Sequence, residues 1–335
     1  MERTTFRRGL MVSFKGMFYG RLMTYTFQAP PPALLTIILD TNPYAWYLLN
    51  PTLPLTKAVA NLLVFINAHL AIDPANQVAV IASHNNCAKF LYPTPKITTS
   101  DRRNASAMAT TADANKYRPF AAVEEQVMAN LRSLMSTTTP QDLKSSSTTQ
   151  IAGALTSALS YISKQTTLLN PAYNSSFLPN ADVAGGGLPN DNNDGMGGTN
   201  REALTSRILI VSVSGDLASQ YIPVMNSIFA AQRQNITLDV LKLAGDTVFL
   251  QQACDATGGV YISPSNPEGL LQYLMMAFLP DATARKSLVM PGAGEEVDFR
   301  AACFCHQKVV NVGYVCSVCL SSMLRTPFSF CLCIN

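Results

Sequence analysis

Six of the eight cysteines in this 335-residue chain fall between positions 303 and 333. Cys303-Phe304-Cys305-His306 is followed, about ten residues on, by Cys316-Ser317-Val318-Cys319, and then by Cys331-Leu332-Cys333. Two close pairs at this separation suit a tetrahedral Zn²⁺. Each pair forms a tight knuckle, and the intervening segment turns back to bring four thiolates to Zn–S distances of about 2.3 Å. So short a segment cannot build its own core, and metal binding would supply its folding free energy. Cys303, Cys305, Cys316 and Cys319 form the compact ligand set, with His306 as a substitute ligand. Cys316, Cys319, Cys331 and Cys333 form a competing one. A disulfide framework would scatter its cysteines, so the clustering favours a metal in a reducing compartment. Cys87 and Cys254 lie alone in apolar surroundings and are expected to be buried thiols.

Little else in the chain could do covalent or acid–base chemistry. The three histidines are His69, His84 and His306. His69 lies on a predicted helix and His84 in a predicted turn, and both are expected to be ordinary structural or surface histidines. Neither Gly-x-x-x-x-Gly-Lys-Ser/Thr nor Gly-x-Ser-x-Gly occurs, so the sequence offers no phosphate cradle and no nucleophile elbow of those kinds. No enzymatic activity is expected.

The elements that would position a site alternate between strand and helix. Ala33–Leu39 is a continuous apolar run ending at Asp40, the pattern of a strand buried on both faces of a parallel sheet. Between Leu53 and Leu70, Leu55, Val59, Leu62, Leu63, Ile66 and Leu70 recur at helical spacing, and Asp73-Pro74 ends that helix. Strands are expected at Gln77–Ala82, Lys89–Tyr92, Arg207–Val213, Thr237–Leu243 and Val260–Ile262. Helices are expected at Ala121–Met135, Ile151–Ile162, Tyr221–Arg233, Thr247–Thr257 (closed by Gly258-Gly259) and Glu268–Phe278. This alternation implies an α/β, Rossmann-like, mostly parallel sheet with helices on both faces. Ligands of such sheets sit at the carboxyl ends of the strands, here the turns after Leu39 and Val213. The domain plan is a basic extension over 1–32 and an α/β domain over 33–280. Polar, low-complexity insertions fall at about 94–118 and 170–200, a linker at 281–299, and a small C-terminal zinc-binding module at 300–335.

Charge excludes some partners. Residues 1–21 carry five basic side chains against one acid, while the remainder has 19 basic and 20 acidic ones, a net of −1. The body is no basic footprint, so sequence-specific nucleic-acid binding is not expected. No run of about 18 apolar residues occurs, and no membrane partner is expected. Charged residues make up only 13% of the chain, a sparsely charged surface suited to coverage by other proteins.

The turn after the first strand, Asp40-Thr41-Asn42-Pro43-Tyr44, resembles the opening of a von Willebrand factor A domain. In that family an Asp-x-Ser-x-Ser turn and a second aspartate after a later strand hold a divalent cation, with coordination positions left open for a partner's carboxylate. Asp40 matches, but Asn42 and Tyr44 stand at the two serine positions, and Val213-Ser214-Gly215 replaces Thr-Asp-Gly. The resemblance therefore implies a degenerate, empty ion site at Asp40, Asn42, Tyr44 and Ser214. Asp40 is expected instead to cap the following segment or to bond local backbone.

Three segments narrow the resemblance. They are Leu35–Pro43, Ile236–Ile262 with Cys254-Asp255-Ala256-Thr257-Gly258-Gly259-Val260-Tyr261, and Arg300–His306 followed by Gly313–Leu320. Together they are similar to the smaller von Willebrand A subunit (subunit 3) of the general transcription and DNA repair factor TFIIH. That resemblance implies a non-catalytic scaffold in the nucleus, with Zn²⁺ in its tail. It implies pairing with the other von Willebrand A subunit of the complex, subunit 2, and contact with further TFIIH core subunits, in RNA polymerase II initiation and nucleotide excision repair. Two other classes are weighed against it. A RING-like ubiquitin ligase module needs about eight ligands for two interleaved zinc sites, and this tail offers at most seven, His306 included. A metal-dependent ligand-binding A domain is opposed by the broken turn.

Overall fold

Strands that must be covered on both faces need apolar side chains in both directions, and β1 (Ala33–Asp40) supplies them. It is buried from its second residue onward. Leu35, Ile37 and Leu39 enter one hydrophobic layer, while Leu34 and Ile38 enter the other. The same division recurs in Thr205–Ser212 (β4), with Leu209 and Val211 on one side and Ile208 and Ile210 on the other. The computed structural model describes residues 31–94, 118–139, 149–169, 204–215, 218–245, 247–289, 297–300, 303, 306, 309–315 and 322–323. The insertion expected at 170–200 and nearly all of that at 94–118 lie outside these residues, as does most of the basic extension.

Between β1 and β4 come Pro43–Leu49 (α1), Leu55–Ile72 (α2), Gln77–His84 (β2), Cys87–Tyr92 (β3), Arg118–Thr137 (α3) and Ile151–Leu169 (α4). After β4 follow Tyr221–Arg233 (α5), Thr237–Lys242 (β5), Val248–Thr257 (α6) and Tyr261–Ile262 (β6). The six-stranded sheet runs β3-β2-β1-β4-β5-β6. All neighbours are parallel except β2 and β3, which form an antiparallel edge. The hairpin between them has Asn86 at a φ of 63°, a left-handed conformation that asparagine tolerates in tight turns. Cys87 opens that edge strand and is exposed, which corrects the expectation of a buried thiol. Cys254, inside α6, is buried as expected.

The helices form two layers. Residues of α1, α2 and α3 pack on one face, and those of α4, α5 and α6 on the other. Helix α2, though interrupted by Lys57, Asn61, Asn67 and His69, has 18 residues and is on average apolar enough to cross a membrane by length and composition alone. Ala58, Val59, Leu62, Leu63, Phe65, Ile66 and His69 are nevertheless buried against the sheet, so it is a core helix here. The helix expected at Glu268–Phe278 is composite. A 3₁₀ turn at Pro267–Gly269 leads into Leu270–Tyr273 (α7) and then a π-helical turn at Leu274–Phe278. Its Leu270, Leu274, Ala277 and Phe278 join the layer of α1 to α3. A short helix, Ala282–Arg285 (α8), follows. Near the C-terminus, Tyr314–Val315 (β7) and Ser322–Met323 (β8) make a small antiparallel pair.

Candidate functional site

Asp40 ends β1 and Ser214 lies two residues beyond β4, so the parallel pairing of those strands brings both to one edge of the sheet. Asp40 is fully buried. Its Oδ1 accepts the Asn42 N–H at 3.1 Å. Its Oδ2 accepts the N–H groups of Ser214 at 2.7 Å and Val213 at 3.2 Å. Burial raises the Asp40 pKa above the ordinary carboxylate value, while the bonds from Ser214, Val213 and Asn42 act in the opposite sense. Three backbone amides from two strand tips thus converge on the one carboxylate.

The other members of the expected ion site are drawn into the same network. Asn42 Nδ2 donates to Ser214 Oγ at 3.0 Å. Asn42 Oδ1 accepts the Tyr44 N–H at 3.1 Å, making Asn42 the N-cap of α1, with Pro43 in the first turn. The capping expected of Asp40 therefore falls to Asn42, and Asp40 makes the backbone bonds. The Tyr44 side chain is 69% exposed and turned away from this cluster's buried core. Trp46, the one tryptophan of the chain, donates its indole N–H to the Asp40 carbonyl at 2.8 Å and ties α1 down over the strand tip.

A second buried network, which motif reasoning missed, adjoins this one. The His84 Nδ1–H donates to the Thr41 carbonyl at 3.0 Å, since a carbonyl can only accept, and Nε2 lies 2.8 Å from Thr138 Oγ1 at the end of α3. The Gln150 N–H donates to the His84 carbonyl at 3.1 Å. His84 thereby joins the tips of β1 and β2 to the end of α3 and the start of α4. Its sequence position gave the only hint, and where a turn was expected His84 is the last residue of β2. On the far side, the loop after β5 closes over the loop after β4. Gly245 has a φ of +74°, and a Cβ there would lie 2.4 Å from the Gly215 nitrogen.

Of the expected zinc ligands, Cys303 and His306 are among the described residues, whereas Cys305, Cys316, Cys319, Cys331 and Cys333 are not. Cys303 is buried, and its Sγ lies 3.5 Å from His306 Nδ1. A tetrahedral zinc with Zn–S of about 2.3 Å and Zn–N of about 2.0–2.1 Å has an S···N edge of about 3.6 Å. The pair is thus spaced to share one ion. Among the described residues no cluster of three or more metal-ligating side chains occurs.

The antiparallel edge strand, the helices on both faces and the meeting of the β1 and β4 tips at Asp40 define a von Willebrand A-like domain. The chain belongs to the family described as transcription factor Tfb4, whose model matches residues 32–334. It is 43% identical over 290 residues to the general transcription and DNA repair factor IIH subunit tfb4 of Schizosaccharomyces pombe, covering 87% of this chain and 84% of that protein. Against the subunit TFB4 of Saccharomyces cerevisiae it is 33% identical over 311 residues, covering 88% and 82%. The crystal structure of the TFIIH p34 N-terminal domain is 43% identical with a TM-score of 0.56, covering 73% of this chain and 97% of that one.

Proposed function

We propose that this chain is a non-catalytic structural subunit of the TFIIH core, acting in the nucleus in RNA polymerase II transcription initiation and nucleotide excision repair. Its A-like domain binds the other von Willebrand A subunit, subunit 2. The observation that carries this reading beyond family membership is the saturation of Asp40. A hard cation needs several oxygen ligands with positions left open for a partner's acid group. Here both Asp40 oxygens accept backbone amides, and Asn42 and Ser214 bond one another. The tip of β1 and β4 acts as a hydrogen-bonded clasp, and partners are captured by surface contact rather than through a metal.

The neighbouring surface fits that role. From Thr41 to Thr56 no charged residue occurs, and on α1 Tyr44, Tyr47 and Leu48 are 69%, 75% and 62% exposed. Aromatic side chains at such density are typical of protein interfaces. In the tail, the Cys303–His306 spacing supports the zinc reading, with the remaining ligands drawn from Cys305, Cys316, Cys319, Cys331 and Cys333. The metal would be structural, supplying folding free energy to a segment too short to build a core.

Affinity purification of the tagged chain from nuclear extract, followed by mass spectrometry, tests the assembly. TFIIH core subunits, subunit 2 among them, should be recovered at near-equal stoichiometry, and their absence would sink the proposal. The cation question is tested separately. Millimolar Mg²⁺ or Mn²⁺ should leave the thermal midpoint of the chain unchanged, because only a ligand bound by the folded state raises it. A concentration-dependent rise in Tm would restore the metal-dependent reading.

A further inference from the structure

The tail does not leave the A-like domain as a free appendage. Gln252 on α6 donates its side-chain amide to the backbone carbonyls of Asp298 at 2.7 Å and Arg300 at 3.2 Å. Its neighbour Gln251 accepts the Asp298 N–H through Oε1 at 3.3 Å. Backbone groups of the incoming segment are thus matched by two adjacent glutamines, as in strand pairing but with side-chain amides supplying the partners.

The segment is also braced internally. The Asp298 carboxylate accepts the backbone N–H of Arg300 at 3.0 Å and its Nε–H at 2.7 Å, and Arg300 reaches on to Asn311 Oδ1 at 3.0 Å. That arginine therefore ties a position before Cys303 and His306 to one after them. Val309 packs against the hydrophobic layer that also takes Phe249, Leu250, Ala253 and Cys254 of α6. Cys303, between the two anchors, is 1% exposed.

We propose that α6, through Gln251, Gln252 and the apolar layer it shares with Val309, is a docking surface for this chain's own residues Asp298, Arg300 and Val309, and that metal binding at Cys303 and His306 is thereby coupled to the stability of α6. Two anchors act on either side of Cys303 and His306, glutamine-to-backbone before them and Val309 in the apolar layer after them. A metal held by Cys303 and His306, which lie between the anchors in sequence, restrains both anchors at once, and metal loss releases them together. The coupling rests on the zinc reading above, whereas the docking surface stands without it.

Hydrogen exchange followed by mass spectrometry on the full chain tests both parts. Gln252→Glu keeps the size and helix propensity of the side chain but replaces its N–H donors with a carboxylate facing two carbonyl oxygens. Peptides over 297–309 should then exchange about tenfold or more faster, the effect of losing bonds worth about 1 kcal/mol each, while β1, β2 and β4 exchange as before. Gln251→Ala/Gln252→Ala should act in the same direction. Unchanged exchange over 297–309 in both variants overturns the docking surface. Zinc content is measured on the same samples. If zinc is bound, its removal by a chelator should speed exchange in both 297–309 and 248–257, and an unmoved α6 overturns the coupling. If no zinc is found in the purified chain, the metal reading and the coupling fail together, and the Gln252→Glu result still decides the docking surface.

Discussion

Two buried ionisable side chains set opposing pH dependences in this domain. Burial raises the Asp40 pKa above its ordinary value. Its contribution to stability is therefore complete below the unfolded-state pKa and is lost as pH rises through the folded-state one. His69, 2% exposed, behaves in the opposite way. Burial, helped by the Arg207 guanidinium, lowers its pKa to about 4. The folded chain thus favours neutral imidazole, and stability from His69 is present above about pH 6.5 and lost as pH falls toward 4. Between pH 7 and pH 5 the loss from His69 should be about 2 kcal/mol. Urea unfolding of the full chain at the two pH values should show it, and His69→Gln should flatten that change. An equal pH response in the variant would assign the titration to another group.

At the scale of elements, α8 is tied to the sheet by charged side chains. Arg285 makes a two-pronged pair with Asp239 of β5, at 2.8 and 2.7 Å, and Asp239 is 1% exposed. Arg207 of β4 donates to the carbonyls of Pro280 and Leu279 just before it. Arg285→Ala would leave a buried carboxylate without its counter-charge and should cost about 3–5 kcal/mol in urea unfolding. Asp239→Asn in the same chain should recover part of that loss, and no recovery would mean that packing rather than charge is at stake. None of this pairing could be read from the sequence, because Asp239 and Arg285 stand 46 positions apart within unremarkable local contexts. The strands were readable, since burial on both faces leaves continuous apolar runs such as Ile208–Val211. Helix α1 was not, although Asn42-Pro43 is a sound start signal. It has only seven residues, and Tyr44, Tyr47 and Leu48 point outward, so its apolar periodicity is hidden. The positions of the degenerate turn were likewise readable. The bond between Asn42 and Ser214, 172 residues apart, was not, because it depends on the register of β1 against β4.

For the whole molecule, the sheet separates two surfaces. Trp46 and Leu49 anchor α1 in the layer shared with α2, α3 and α7, whereas α6 and the docked segment at Val309 belong to the layer of α4 and α5. A partner lying on α1 therefore does not compete for the layer against which Val309 packs. The tail also exposes the apolar side chains of Phe299, Val312, Tyr314 and Val315. The two functions should then separate by mutation. Tyr44→Ser/Tyr47→Ser removes exposed rings that contribute little to the core, so the thermal midpoint should stay within about 2 °C of the parent, in line with surface substitutions generally. Affinity for the proposed partner, the other von Willebrand A subunit, should fall by about tenfold or more, since truncating a hot-spot tyrosine at an interface costs about 2 kcal/mol or more. Calorimetric titration against that subunit measures the loss, with Gln252→Glu as the comparison. If the tyrosine pair binds as tightly as the parent, the docking face lies elsewhere on the domain. If Gln252→Glu weakens this binding as much as the tyrosine pair does, the two surfaces are not independent.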